Sequence, residues 1–193
     1  MTGRKRVLIT AGPTWVPLDR VRILTNIAGG ETGALLARAF KRRGAKVTLI
    51  GGGMSFKDFQ AAMRRALREN KYDTVIHSAA LVDYAPVAAS RGKISSGRKT
   101  LTLKLKPTPK VIDEMRKLSP HSTLVGFKFE PDATKDALVK RARALMRRSG
   151  CGLVVANTCG RGGYSAYLVT GKDAGARIPS KARLAAVLAK MLL

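Results

Sequence analysis

The chain has 193 residues, of which 45% are hydrophobic, enough for one globular domain with a sizeable core. It carries 37 lysines and arginines against 12 acidic residues, a formal net charge of +25 that attracts polyanions and anionic substrates. Aromatic residues make up only 5% and no basic tail is present, which argues against a dedicated nucleic-acid-binding protein, and no apolar run is long enough to span a membrane.

The two cysteines, Cys151 and Cys159, have neither the spacing of a metal site nor that of a disulfide framework. The basic N-terminus is followed by an apolar run of only strand length, so a secretory signal peptide is not indicated. We therefore expect a cytoplasmic protein without a membrane partner, folded as one domain over residues 1–193.

The first half of the chain alternates short apolar runs with amphipathic ones, the pattern of an α/β fold. It predicts strands over residues 6–10 and 46–50, and a third within DTVIHSAAL that ends near Ser78. The runs ETGALLARAFKRRGA and FKDFQAAMRRALREN predict helices between them. This order of elements is half of a doubly wound sheet.

In the second half, a loop and a strand predict a protruding flap over about residues 84–107. Its last part, TLTLKLK (100–106), alternates strictly and predicts a half-exposed strand. Next comes a predicted helix in TPKVIDEMRKL, with Thr108 as N-cap and Pro109 as its first residue. Three more strands (TLVGFKF, GLVVAN, YSAYLVT) and two helices (DALVKRARALMRRSG, PSKARLAAVLAKMLL) follow. We predict a Rossmann-like, mostly parallel, three-layer sheet with the flap.

Residues 9–33, ITAGPTWVPLDRVRILTNIAGGETG, start like a dinucleotide-binding protein, with a strand that runs into Gly12. A nicotinamide-cofactor fold then turns at once through G-x-G-x-x-G, whereas roughly twenty residues intervene here before Gly29, Gly30 and Gly33. Glycines before a helix N-terminus suit a phosphate, but they are as often purely structural. The delayed glycines, and the GGG that follows the second strand, argue against a nicotinamide-dependent reductase.

A series of motifs in order resembles phosphopantothenoylcysteine synthetase: TAGPT…P-L-D-x-V-R…T-N-x-x-x-G-x-x-G, AALVDY, GKI, L-x-L-K-P-T-P, VGFKFE and VVAN. The resemblance implies a phosphopantothenate–cysteine ligase of coenzyme A biosynthesis. It would activate the carboxylate of 4′-phosphopantothenate with ATP or CTP to an acyl-nucleotidylate, then form an amide with cysteine. It also implies Mg²⁺, no flavin because only the synthetase part is matched, and a homodimer whose flaps lie across the neighbouring sites.

The resemblance implies the following roles. Asn26 would steady the acyl-nucleotidylate, and Lys93 would reach the phosphates and assist the second step, as the two catalytic residues. The predicted acyl-substrate contacts are Arg22, Asn26, Gly29 and Gly30. The predicted nucleotide contacts are Gly12, Ser78, Ala79, Asp83, Lys93, Pro109, Lys110, Val111, Ile112 and Phe127. No residue is predicted to ligate a metal, and His77 is assigned no acid–base role.

Ordinary structural roles remain alternatives for three of these residues. Asn26 would then be a turn residue that caps its own backbone, Arg22 part of a surface or dimer salt bridge, and Lys93 a solvated loop lysine.

The chain also departs from bacterial members of the family, which carry Ser-Ser-Gly-Lys-Met-Gly where residues 28–33 read AGGETG. Glu31 would repel a phosphate if it pointed inward. Two lysines of the family helix before VVAN are replaced by Leu145 and Ser149, with Lys140, Arg143 and Arg147 as possible substitutes. These departures leave an alternative function, that of a nucleotide-binding homologue without ligase activity. The high positive charge leaves a second alternative, a polyanion-binding protein.

Overall fold

A computed structural model describes residues 3–97 and 99–193, which form ten strands and five helices. The strands are β1 (Arg6–Ala11), β2 (Trp15–Pro17), β3 (Ile23–Thr25), β4 (Lys46–Gly51), β5 (Thr74–His77), β6 (Tyr84–Pro86), β7 (Leu105–Pro107), β8 (Thr123–Phe129), β9 (Leu153–Gly160) and β10 (Gly163–Val169). The helices are α1 (Glu31–Arg42), α2 (Phe56–Glu69), α3 (Val111–Leu118), α4 (Lys135–Ser149) and α5 (Lys181–Leu192). All five predicted helices are present. In the described ranges, no helix has both the length and the apolar character needed to cross a bilayer.

Six strands form one sheet in the order β10-β9-β8-β5-β1-β4. Five of them are parallel, and β10 pairs antiparallel with β9 through a hairpin. The chain leaves β1 to form β4 on one side of it and then returns to form β5 on the other side. This reversal of strand order, with helices on both faces, confirms the predicted Rossmann-like sheet.

The two faces of the sheet bury separate apolar clusters. Along β1, Leu8 faces the cluster under α2, α3 and α4, while Val7 and Ile9 face the cluster under α1 and α5. Because successive side chains of a strand point to opposite faces, one apolar run supplies both layers. The three-layer arrangement therefore follows from the continuous apolar runs of the central strands.

The helix α3 does not begin where the sequence predicted. Its cap position is Lys110, not Thr108, and no side chain caps it. Thr108 is buried; its hydroxyl donates to the Val82 carbonyl at 2.6 Å, and its N–H donates to the Asp83 carbonyl at 2.9 Å. The predicted cap is wrong because this threonine binds the segment that follows β5, which brings that segment against the start of α3.

The flap and the segment after Gly12 also differ from the prediction. Of residues 100–106, only Leu105 and Lys106 lie in a strand, because β7 pairs with the three-residue strand β6 and a strand extends only as far as its partner. The segment after Gly12, for which no element was predicted, forms the antiparallel hairpin β2–β3. The residues between these strands, 18–22, are called the hairpin turn below.

Close contact between α1 and β1 depends on a missing side chain. Gly33 is buried in the first turns of α1, and a methyl group built on it would lie 2.2 Å from the Ala11 Cβ. Gly30, at the helix cap, has φ of 73°, and a methyl group there would lie 3.2 Å from the Gly12 Cα. The delayed glycines thus let the start of α1 return against the end of β1.

We expect Gly33→Ala to lower the free energy of unfolding by roughly 1–3 kcal/mol, because the added methyl overpacks a closed contact. Gly29→Ala is the matched control, since a methyl there meets nothing within 4 Å and Gly29 has no positive φ. Urea unfolding followed by circular dichroism measures both. If Gly33→Ala is as stable as Gly29→Ala, the glycine does not set the distance between α1 and β1.

Candidate active site

A crevice opens where the carboxyl ends of β1 and β5 meet, the point at which the strand order reverses. Ligands of open α/β sheets bind at such points. Segment 78–83 leaves β5 here and is tied to the segment after β1: the Ala80 N–H donates to the Gly12 carbonyl at 2.9 Å, and the Val82 N–H donates to the Thr14 hydroxyl at 3.2 Å. The floor of the crevice is therefore held by hydrogen bonds between the segments that follow two neighbouring strands.

The crevice contains a cavity of about 470 Å³. Most of the predicted site residues line it. They are Asn26, Ser78, Ala79, Asp83, Pro109, Lys110, Val111, Ile112 and Phe127. They come from the segment after β3, the loop after β5, the start of α3 and the end of β8, which are far apart in sequence. The structure thus brings eight of the ten predicted nucleotide contacts and Asn26 to one place.

Three cations line this cavity, and each has a carboxylate partner. Lys110 Nζ lies 2.6 Å from Asp83 Oδ1, and Arg148 Nη1 lies 2.7 Å from Asp113 Oδ2. Lys128 Nζ lies 2.9 Å from Glu130, which also pairs with Arg141 on α4. Carboxylates placed beside the cations hold them in position while leaving their other N–H donors free for an anionic ligand.

Sequence reasoning missed Lys128, Arg148 and Asn157, all of which line the cavity. Two of them could have been found from neighbouring positions that the sequence did single out. Lys128 follows Phe127, and Arg148 precedes Ser149, which stands where the family has a lysine. The substitutes considered, Lys140, Arg143 and Arg147, line a separate cavity on the outer face of α4. Helix geometry decides this outcome, because neighbouring residues on a helix point about 100° apart.

Asn157, the last residue of VVAN, supplies an unused acceptor. Its Oδ1 is buried and has no hydrogen-bond partner among the described residues. Buried polar atoms are nearly always hydrogen-bonded, so a free one at a cavity wall is an available contact for a ligand.

A second cavity of about 330 Å³ lies beside the first. It is lined by the predicted residues Gly12, Gly29 and Gly30 and by the glycines after β4, 51–53. The lack of side chains there leaves backbone exposed at the start of α1, next to the cavity that Asn26 lines. The predicted acyl-substrate glycines and most of the predicted nucleotide contacts thus line different cavities.

Residues 2–172 match the DFP family, described as the DNA/pantothenate metabolism flavoprotein C-terminal domain. The chain belongs to this family. The resemblance stated from the motifs is confirmed at this level.

Curated relatives of the chain carry the same domain within longer proteins. The coenzyme A biosynthesis bifunctional protein CoaBC of Thermococcus kodakarensis is 36% identical over 190 residues, covering 91% of this chain and 47% of that protein. The Bacillus subtilis protein of the same description is 35% identical over 166 residues, covering 79% of this chain and 40% of that protein. The chain therefore spans less than half the length of these relatives.

Solved structures share the fold. The DNA/pantothenate metabolism flavoprotein from Streptococcus pneumoniae has a TM-score of 0.86 at 26% identity, over 97% of this chain and 98% of that chain. A Cab2 mutant in complex with phosphopantothenate-cysteine has a TM-score of 0.79 at 16% identity, over 97% of this chain and 87% of that chain, which is a likeness of fold.

The loop in which the chain departs from bacterial DFP members does not place a negative charge in the cavity. Glu31 does not line it; the Glu31 carboxylate lies 2.6 Å from Lys181 Nζ on α5. Ala28 and Thr32 line the cavity instead. Glu31 does not point into the cavity, so the repulsion of a phosphate expected from an inward Glu31 does not arise there.

Asn26 does not cap its own turn. Its side-chain N–H₂ group donates to the Leu81 carbonyl at 2.8 Å and to the Ala80 carbonyl at 3.3 Å. This amide joins the segment after β3 to the loop after β5, at the wall of the cavity. A phosphate or acyl oxygen that accepts from Asn26 has to replace one of these carbonyls.

Two predicted residues, Arg22 and Lys93, line neither of the two cavities. Arg22 Nη1 lies 2.7 Å from Asp19 Oδ2, so the salt-bridge alternative describes its contact in this chain. Lys93 is exposed on the flap.

Hydrogen bonds from the backbone N–H groups of Ile94 and Val21 lower the pKa of Asp19 to about 2, so this carboxylate is ionised at neutral pH.

His77 closes the carboxyl end of β5 and lines the cavity. Its Nδ1 lies 2.8 Å from the Thr10 hydroxyl oxygen, and burial lowers the pKa of His77 to about 4. The imidazole is therefore neutral at physiological pH and acts as a fixed hydrogen-bonding group.

We expect the His77 side chain not to titrate between about pH 8 and about pH 5, because burial disfavours its charged form. Below about pH 6.5 the unfolded chain binds a proton that the folded chain does not, so His77 makes the fold less stable as the pH falls from about 6.5 towards about 4. NMR of the imidazole carbons measures this directly. The chain has only two histidines, and His77→Gln identifies the signal. A midpoint near 6.5 for that signal would contradict the assignment.

Proposed function

We propose that the chain is the ligase that joins phosphopantothenate to cysteine in coenzyme A biosynthesis. Membership of the DFP family and the description of its CoaBC relatives support this reaction. The Cab2 structure, a relative by fold, holds phosphopantothenate-cysteine, the product of such a reaction. The observation that carries the proposal is the cavity at the strand-order reversal, where predicted residues from four separate segments meet three cations.

In the first step the phosphopantothenate carboxylate attacks the α-phosphorus of a nucleoside triphosphate. A new P–O bond forms, the bond to the bridging oxygen breaks, and pyrophosphate leaves. In the second step the neutral amine of cysteine attacks the acyl carbon and a C–N bond forms. The bond from the acyl carbon to the phosphate oxygen breaks, the nucleoside monophosphate leaves, and the nitrogen loses one proton to solvent. Both steps need two anions held close together and donors aimed at developing oxyanions, more than they need a protein nucleophile.

The cavity suits the nucleotide. Phe127, Pro109 and Ile112 supply apolar walls for a base, and Ala79 presents backbone groups beside them. Lys110, Lys128 and Arg148 supply positive charge for the phosphates. Asn157 offers one acceptor to an amino group of a base, a group that both adenine and cytosine carry. These contacts are therefore compatible with either ATP or CTP as the nucleotide.

The acyl substrate would lie towards the neighbouring glycine cavity, with Asn26 between the two. A neutral amide donates to an acyl or phosphate oxygen without adding charge. The glycines of that cavity let the backbone approach a phosphate, near the partial positive charge at the start of α1.

Mg²⁺ would enter with the triphosphate. Mg²⁺ bound with nucleotides commonly has only one or two protein carboxylates. Within the described residues no cluster of three metal-ligating side chains exists, and Asp83 is the acidic residue that lines the cavity. Asp83 Oδ1 pairs with Lys110, so Oδ2 is the carboxylate oxygen that would contact an ion which neutralises the phosphates. We propose no flavin for this domain.

We also propose that the chain works as a homodimer. The hairpin and the flap expose a set of large apolar side chains, which a soluble monomer rarely presents together. They are Val21, Ile23, Val87, Leu101, Leu103 and Leu105. Lys93, exposed on the flap and outside the chain's own cavity, would then serve the cavity of a second copy.

Pyrophosphate release tests the reaction. We expect release with phosphopantothenate, cysteine, Mg²⁺ and either ATP or CTP, and a drop in kcat of about 100-fold for Asn26→Ala and for Lys93→Ala, because each removes a group that acts on the reacting oxygens. Lys104→Ala, another exposed flap lysine, is the control and keeps its turnover. No release with either nucleotide would favour a nucleotide-binding homologue without ligase activity.

Nucleotide affinity tests the site independently of turnover. We expect Arg148→Gln to weaken binding of Mg²⁺–nucleotide by about tenfold, the usual value of a charge-assisted hydrogen bond. Arg147→Gln is the matched control, because Arg147 is the preceding helix residue and lines the separate cavity. Calorimetry with ATP and with CTP measures both variants. Equal losses would mean that total charge, and not contact at the cavity, governs binding.

A further inference from the structure

The hairpin turn contains a buried carboxylate that the site described above does not use. The Asp19 side chain is 0% exposed. Its Oδ1 accepts from the Val21 and Arg22 N–H groups, both at 2.8 Å. Its Oδ2 accepts from the Arg22 guanidinium at 2.7 Å and from the Ile94 N–H at 3.0 Å. An ionised group is buried only where pairing and hydrogen bonds compensate for the lost water, and here all its partners come from the turn and the flap.

Arg22 completes the contact from the other side. Its guanidinium donates to the Ile94 carbonyl at 3.1 Å, so Asp19 and Arg22 together bind both backbone polar groups of one flap residue. The Ser90 N–H donates to the Leu18 carbonyl at 3.0 Å. Among the described residues of segment 88–103, these are the hydrogen bonds that hold the segment to the rest of the molecule, and all of them reach the hairpin turn.

We propose that Asp19 is a positioning residue for Lys93. Ile94 directly follows Lys93, so the Asp19–Arg22 pair fixes the backbone from which the Lys93 side chain extends. Without it, the described part of segment 88–103 keeps a single hydrogen bond to the hairpin turn, from the Ser90 N–H to the Leu18 carbonyl, four residues before Ile94. The catalytic part of this inference rests on the proposed function; the structural part does not.

Asp19→Asn tests the structural part. Asparagine keeps the shape but replaces one acceptor oxygen with an N–H₂ group, which then faces two donors whichever way the amide turns. Asp73→Asn is the matched control: the Asp73 carboxylate also accepts from a backbone N–H, that of Arg6 at 2.8 Å, but it precedes β5 at the opposite end of the strand from the cavity.

Hydrogen–deuterium exchange with peptide mapping gives the first readout. We expect exchange in the peptide that contains Ile94 to speed up by at least about tenfold in Asp19→Asn and to stay unchanged in Asp73→Asn, since local opening governs exchange there. Early tryptic cleavage after Arg91 and Lys93 should follow the same pattern. Unchanged protection of that peptide in Asp19→Asn overturns the proposal.

Kinetics give the second readout. We expect Asp19→Asn to lower kcat by about tenfold while the KM for nucleotide changes less than about twofold, because a displaced catalytic group slows the reaction more than it weakens binding. In the Lys93→Ala background the same substitution should have no further effect on kcat. A tenfold loss that persists in that background overturns the positioning role. If the wild-type chain shows no ligase activity, the proposed function fails and the exchange result alone decides whether Asp19 holds the flap.

Discussion

Parallel pairing of β1 with both β4 and β5 is the constraint on which the rest of the structure depends. Because all three strands end at the same edge of the sheet, the segments that leave them must diverge, and the crevice between them is the space left over. Gly33 lets α1 lie against Ala11, so the segment between β1 and α1 returns to this edge of the sheet. Strand order and this close helix–strand contact together position segments that line the cavity.

The basic side chains of the cavity are arranged in ion pairs, an arrangement that the formal net charge of +25 does not show. Three of the 12 acidic residues, Asp83, Asp113 and Glu130, pair with the cavity cations Lys110, Arg148 and Lys128. Such pairs contribute little to stability where they are exposed, but they fix the direction of long side chains before a ligand arrives. The excess of basic residues elsewhere adds a field that raises the local concentration of anionic substrates.

The insertion after Gly12 contacts both the flap and the wall of the cavity. Its hairpin turn holds the flap through Asp19 and Arg22, and its distal end places Asn26 on the loop after β5. One segment therefore links the flap, the cavity wall and the glycines at the start of α1. A tight glycine turn, as in nicotinamide-binding folds, has no residues with which to make the first two of these contacts.

The sequence by itself determined the five helices, the strands of the central sheet and nine of the residues that line the cavity. Apolar runs and amphipathic periods are local properties, so the five helices and the central strands could be predicted directly. Ordered motifs such as VGFKFE drew attention to Phe127, which lines the cavity. Tertiary structure decided what depends on distant partners: Thr108 binds Val82 and is no helix cap, β7 is as short as β6, Arg148 and not Arg147 faces the cavity, and Arg22 pairs with Asp19. The physical reason is that a side chain's direction and a strand's length are set by the groups packed against them, and those groups lie far away along the chain.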